Sequence, residues 1–298
     1  MKVYDCTLYH DEDLILDLRL NVLSKYIDKF IICESKYTHS GRKKKLNFDV
    51  NKFSKFKDKI IYVISDTEPD GLVFDETSND KKELPENYRH NAIRRIAHQR
   101  NKLVDGLKNV DENDFILYSD NDEIPNLENF NFNNFKKKYV LFEQKLFYYK
   151  LNLFLDRISW FGTKGCKKKD LSSFEKLRQI KPKIYPFYRI DTYFKFDKQI
   201  SLKIMNNGGW HFTRLQKPED IHLKELDAEH HDEYRASGKN VNKIKELIKN
   251  RKIDHDHFAD TKASKYDKEF KLSKISIENL PKYIQENKEN YKEWFDLD

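Results

Sequence analysis

Cysteine is scarce in this chain of 298 residues: Cys6, Cys33 and Cys166 are its only three. An odd count without C-x-x-C spacing argues against a disulfide framework and a cysteine zinc site, and it fits a reducing compartment. Cys6 and Cys33 fall in apolar runs, where they read as small buried side chains. Long apolar runs are missing too. No segment approaches the ~20 residues needed to span a bilayer, and the opening MKVYDCTLYH lacks the apolar stretch of a signal peptide. A cytoplasmic protein without a transmembrane segment is expected. Neither internal repeats nor a Gly/Ser/Pro linker interrupts the chain, which favours a single domain.

What the chain does contain is enough apolar material for a sizeable core, at 38% of residues, with 14% aromatic. Charged residues make up 36%, and Lys+Arg exceed Asp+Glu by 57 to 50. The resulting +7 is mild for this length. Lysine runs at 43–45, 136–138 and 167–169 read as solvated surface, so no nucleic-acid partner is expected. A nucleic-acid-binding protein stays as an alternative, recognisable by steeply salt-dependent affinity.

Periodicity suggests an α/β order. VYDCTLYH reads as a strand, and Leu14, Ile15, Leu18, Val22, Leu23 and Tyr26 follow at helical spacing. FIICE, KIIYVIS and DFILYS are further strands, residues 71–85 a loop, and YRHNAIRRIAHQRNKLVDGLKN a second helix. Such an alternation predicts a mostly parallel central sheet flanked by helices, with ligands beyond the carboxyl ends of the strands. LFEQKLFYYKLNLF, ISWFGTKG and YPFYRIDTYFKF read as strands and loops completing that domain, over residues 1–260. Residues 261–298 form a Lys-rich, helical extension packed on it.

Three constellations carry chemistry. DFILYS ends in D-N-D-E, which crowds Asp120, Asp122 and Glu123 at a strand terminus. Like charges so close call for something positive, and two carboxylates at i, i+2 can turn toward one Mg²⁺ or Mn²⁺. Ile124 and the lack of a following glycine exclude an EF-hand. Arg100 lies two helical turns from both Ile93 and Leu107, on the apolar stripe of its helix. There it needs either a structural carboxylate or a ligand phosphate, whereas Arg94 and Arg95 read as solvated. In GGWHFTRL, Gly208 and Gly209 allow close backbone approach beside His211, which reads as a core histidine or a metal ligand. AEHHDEY adds His230, His231 and Glu233, a polar cluster that holds a base or caps a helix.

These segments, taken in order, resemble glycosyltransferase family 17. The similarity rests on YDCTLYHDEDLILDLRL, DKFIICESKYTHSGRKKKLNF, HQRN with DFILYSDNDEIP, WFGT, and GGWHFTRL with IHLKELDAEHHDEY. It spans residues 3 to 235, and the D-E-I-P and G-W-H-F pieces are its most specific parts. The resemblance implies a GT-A-type, Rossmann-like fold that binds a nucleotide sugar. Under it Glu34 faces the nucleoside and Arg100 serves the sugar-donor site. Asp120 and Asp122 hold a divalent metal on the diphosphate, with His211 as a further ligand; if His211 is a core histidine, the third ligand is to be sought at His231.

The implied reaction is inverting transfer of N-acetylglucosamine from a UDP-sugar to a glycan or glycoconjugate acceptor, dependent on Mn²⁺ or Mg²⁺. Inversion needs a carboxylate base, for which Glu233 is the first candidate and Asp191 the second. Trp160 and Trp210 read as sugar-stacking or core residues. Thr213 stands where the family has serine, and the membrane anchor of eukaryotic members is missing. A metal-dependent phosphohydrolase on the same aspartates is the other enzymatic reading; it would need no acceptor.

Overall fold

A computed structural model of the chain describes residues 1–74, 83–257, 266 and 268–297. The first strand, β1 (Val3–Tyr9), is buried almost throughout and leads into α1 (Asp13–Leu23). Next come β2 (Lys29–Ser35), β3 (Ile60–Ser65), α2 (Glu83–Lys102) and β4 (Phe115–Ser119). These four strands are mutually parallel and stand in the order β3-β2-β1-β4. That is one half of a Rossmann-like sheet, and the order reverses between β1 and β4. Of the loop expected over 71–85, residues 75–82 lie outside the described residues and 83–85 belong to α2.

Both faces of this half are covered, which is why its strands read as continuous apolar runs. Phe115 and Leu117 of β4 join α1 in one core cluster. Their neighbours Ile116 and Tyr118 join Leu103 and Leu107, beyond α2, in another. The 3₁₀ turn Leu103–Leu107 that ends α2 shifts the helix phase. Val104, within that turn, faces solvent while Leu103 and Leu107 are buried; earlier on α2, Ile93, expected on the apolar stripe, is exposed and Ala92 and Ile96 are buried instead. Arg95 is a correction of the same kind. It is buried, donates to Glu68 at 2.6 Å and reaches the His39 carbonyl at 3.3 Å.

Beyond β4 the sheet becomes mixed. It continues through β5 (Glu123–Pro125), β6 (Tyr139–Tyr148) and β7 (Leu153–Lys167). The short helix α3 (Phe174–Gln179) precedes β8 (Leu202–Met205) and β9 (Gly209–Thr213). β4 pairs antiparallel with β7, β7 with β6, and β9 with β5, while β6 runs parallel to β8 and β9. The whole is a mixed α/β fold with one large sheet flanked by helices, as expected. YPFYRIDTYFKF supplies no strand: it is irregular chain around a 3₁₀ turn at Ile190–Phe194.

The remaining helices are α4 (Pro218–Glu225), α5 (His231–Ala236), α6 (Val241–Lys249) and α7 (Lys282–Glu286). Between α6 and α7 run the short strands β10 (Lys252–Ile253), β11 (Phe270–Lys271) and β12 (Ser273–Lys274). The C-terminal extension therefore contains strand as well as helix. Its residues Leu280, Ile284, Tyr291 and Phe295 enter the same core cluster as α1. This outer cover explains why α1 is buried on more than one face, while Arg19 is buried toward the sheet, paired with Asp5 of β1 at 2.6 Å. Among the described residues no helix is long and apolar enough to cross a membrane.

Candidate active site

Strands β1, β2 and β4 end side by side, and a cleft of about 260 Å³ opens past their carboxyl ends. Its walls come from His10 after β1, Tyr37 after β2, Gln99 and Arg100 of α2, and Asp120 and Asn121 after β4. Lys224, Asp227 and Glu229 close the far side. This is the topological switch point, where doubly wound sheets bind ligands. A larger hollow of about 650 Å³ lies elsewhere, on the far side of α3, and D-N-D-E does not reach it.

The crowded carboxylates find their positive partners within the chain. Asp120 accepts from Arg100 at 3.3 Å and from Arg178 of α3 at 3.0–3.1 Å, and Tyr118 donates its hydroxyl at 2.7 Å. Burial alone would raise the Asp120 carboxyl, but the two guanidiniums outweigh it and hold the group well below the usual range. Glu123 is fully buried and takes the Asp120 amide at 2.9 Å, the Trp160 indole at 2.7 Å and Arg178 at 3.6 Å. Arg100 also reaches Tyr118 at 2.9 Å and Glu175 at 3.0 Å.

Asp122 is served differently. Antiparallel pairing sets Glu123 opposite His211, and Phe212 donates its amide to the Asp122 carbonyl at 2.8 Å. The close approach depends on glycine: Gly209 has φ +133°, and a Cβ there would sit 2.2 Å from the Ile124 carbonyl oxygen. The result brings His211 Nε2 to 3.1 Å from Asp122 Oδ2 and 2.9 Å from the Thr213 hydroxyl. Burial works against a charged imidazole, but Asp122 prevails and raises its pKa. Nδ1 is buried with no hydrogen-bond partner, so the ring has bonding capacity left over. The Trp160 ring lies 4.7 Å from the imidazole and 5.9 Å from the Arg178 guanidinium.

The other residues expected at the site are dispersed. Glu34 is fully buried, and Lys44, the Asn47 and Phe48 amides and the Tyr62 hydroxyl occupy both its oxygens. It shapes the wall that carries Lys44 and does not itself line the cleft. Glu233, on α5, pairs with Arg89, and its Oε2 is buried without a partner. Asp191 is held by Arg189 at 2.8 Å and Lys198 at 2.6 Å on the aromatic loop. His231 turns Nδ1 to the Ala228 carbonyl at 2.9 Å. Trp210 donates to the Asn279 carbonyl at 2.6 Å and packs against the main core.

Several site residues escaped the sequence reading. Arg178 is the chief one. Phe174 and Leu177 mark the inner stripe of α3, and Arg178, four residues after Phe174, lies beside it, which was the available signal. Lys224 pairs with buried Glu12 at 2.6 Å and adds a cation to the cleft. His39 lines it as well; burial, then the charges of His10, Arg100 and Lys224, push its imidazole down to about 3. Among the described residues no group of three or more His, Cys, Asp or Glu side chains is arranged to hold a metal. Asp122 and His211 form a pair.

No curated protein matches the sequence. Among solved structures, the chain is similar to HddC from Yersinia pseudotuberculosis complexed with GMP-PN, at 10% identity and a TM-score of 0.35. That likeness covers 69% of this chain and 90% of the other. A Bacillus anthracis protein named as a glucose-1-phosphate thymidylyltransferase, in complex with a sucrose, shows 11% identity and a TM-score of 0.34. It covers 68% of this chain and 86% of its own. The family comparison reaches much further. The signature of glycosyltransferase family 17 matches residues 1–295. With a Rossmann-like half, a strand-end cleft and that match along nearly its whole length, the chain belongs to glycosyltransferase family 17 and is a glycosyltransferase.

Proposed function

We propose that this enzyme transfers N-acetylglucosamine from a UDP-sugar to a glycan or glycoconjugate acceptor, with inversion, using Mn²⁺ or Mg²⁺. The observation that carries the metal reading is the Asp122–His211 pair beside the cleft. Two ligands about 2.1 Å from one ion at right angles stand about 3.0 Å apart, close to the 3.1 Å between His211 Nε2 and Asp122 Oδ2. One carboxylate, one imidazole and the substrate phosphates suit a hard or borderline ion that keeps open positions. Asp120 would contribute through water, or directly after releasing an arginine. When bound, the ion would stabilise the charge that develops on the leaving diphosphate.

The chain's own cations support the same charge. Arg100, Arg178 and Lys224 surround Asp120 and the cleft, and each is already oriented by a carboxylate. In the transfer step the acceptor oxygen bonds to the anomeric carbon, the bond from that carbon to the diphosphate oxygen breaks, and UDP departs. A carboxylate takes the acceptor proton. Glu233 is the proposed base, supported by its unpartnered buried Oε2, with Asp191 second. Glu34 acts on the nucleoside side by holding Lys44 and the 44–48 turn in place.

Titration calorimetry with UDP in the presence of Mn²⁺ tests the assignment. Asp122→Ala is expected to weaken UDP binding at least about tenfold with Mn²⁺ and to change little without it. Glu233→Gln is expected to keep UDP binding and lose transfer. Equal Mn²⁺-dependent affinity in Asp122→Ala and wild type would remove Asp122 from the metal site.

A further inference from the structure

The segment KPKIYPFYRIDTYFKFDK, residues 181–198, leaves α3 and wraps the 650 Å³ hollow. It exposes Ile184, Phe187, Tyr188, Ile190, Tyr193, Phe194 and Phe196, with Phe187 at 77% and Phe194 at 83%. These are seven of the sixteen large apolar side chains exposed among the described residues, gathered into thirteen positions. Single exposed apolar residues are ordinary, but a cluster of this density marks an interaction surface.

The charge around it is mostly positive, although Asp170 also lines the hollow. Asp191 and Asp197, the segment's only acids, are already paired with Arg189, Lys198 and Lys181. Lys138, Lys169, Lys176, Lys183 and Lys195 are exposed and have no carboxylate partner among the described residues. Four of these line the hollow, where Tyr193, Phe194 and Phe196 also stand. Aromatic and aliphatic side chains interleaved with unpaired lysines match the boundary of an anionic bilayer: rings enter the headgroup layer while ammonium groups meet lipid phosphates.

We propose that residues 181–198, with the lysines around the hollow, dock the protein on the surface of an anionic phospholipid membrane. Charge complementarity selects this occupant over a second copy of the chain, whose face would present the same unpaired lysines. The docking is peripheral, and it is independent of which sugar is transferred. Since α3 carries Arg178 to Asp120 on one side and Lys176 and Leu177 to the hollow on the other, the docked face lies next to the active site.

Vesicle co-sedimentation of the full chain provides the test, with phosphatidylcholine alone and with phosphatidylcholine mixed equally with phosphatidylglycerol. Wild type is expected to pellet with the anionic vesicles only. Phe187→Ser/Phe194→Ser should lower that partition at least about tenfold, as removal of two inserted rings implies. Lys183→Glu/Lys195→Glu should abolish the preference for anionic lipid. Both double variants alter exposed side chains, and an unchanged melting temperature confirms their folding. Wild type remaining in the supernatant with both vesicles overturns the proposal. So does vesicle binding that neither variant reduces. Self-association lost in the Ser variant without vesicle binding would assign the surface to a second copy, and oligonucleotide binding without vesicle binding would assign it to nucleic acid.

Discussion

Arg100 shows how far a single position can be read. Its spacing from Ile93 and Leu107 demanded a partner; Ile93 is in fact exposed, but Arg100 lies one turn after buried Ile96, and the structure supplies three partners: Tyr118, Asp120 and Glu175. The sequence could not choose among them, because they lie 18, 20 and 75 residues away. Arg100→Leu would leave the Glu175 carboxylate with only Gln179, and would weaken the hold on Asp120, which Arg178 still neutralises. The expected loss is about 2–3 kcal/mol, below the 3–5 kcal/mol of a fully buried pair broken on one side. Urea unfolding measures it, and a Leu variant as stable as wild type would mean that Arg100 serves ligand alone. His211 was legible for a different reason: the glycine pair before it announced a close backbone approach. Its partner Asp122, 89 residues earlier, was beyond any local pattern.

Among elements, the strands of the first half were the easiest to recognise, since burial on both faces makes each an uninterrupted apolar run. Among the elements missed is α3, six residues long and too short for a periodic signal. It is anchored from beneath by Lys164 of β7, whose buried ammonium donates to the Ile180 carbonyl at 2.7 Å and to the Arg178 carbonyl. Burial, then the nearby Arg178 charge, pushes Lys164 down to about 7. An unfolded lysine titrates near ~10.4, so between these values the unfolded chain binds more protons than the folded one. Stability therefore rises with pH across that window, and the penalty is fully present below about 7. Lys164→Met is expected to flatten this rise, measured as the change in unfolding free energy between about pH 7 and pH 9. The variant should also free α3, so that Arg178→Met costs less in the Lys164→Met background than alone. A rise of equal slope in both proteins would show that Lys164 stays charged.

For the whole molecule, the C-terminal extension is part of the core. Leu280, Ile284, Tyr291 and Phe295 are each at most 6% exposed and share a cluster with α1 and β4. Removing residues 280–298 would forfeit about 6–12 kcal/mol at roughly 1.5–3 kcal/mol per buried side chain. That rivals the entire stability of an ordinary domain, about 5–15 kcal/mol. The truncated chain is expected to be unfolded by circular dichroism; a cooperative melt at the wild-type temperature would show the extension to be an appendage. Composition pointed to a Lys-rich tail because its surface is what dominates the count. The four buried side chains are spread over sixteen positions, in turns too short for a helical period to show.

Around Asp120 the ionised groups alternate in sign: Glu175, Arg100, Asp120, Arg178, Glu123. Such a row behaves like one line of an ionic crystal, in which each member is stabilised by neighbours of opposite sign. A row of five that begins and ends on a carboxylate has odd parity, so its charges do not cancel. Three carboxylates against two guanidiniums leave one negative charge, and Asp122 beside it adds a second. The positive charge that Asp122 favours on the facing His211 imidazole offsets that second one, so the row's own negative charge remains. One further positive charge at either end of the row would complete the alternation.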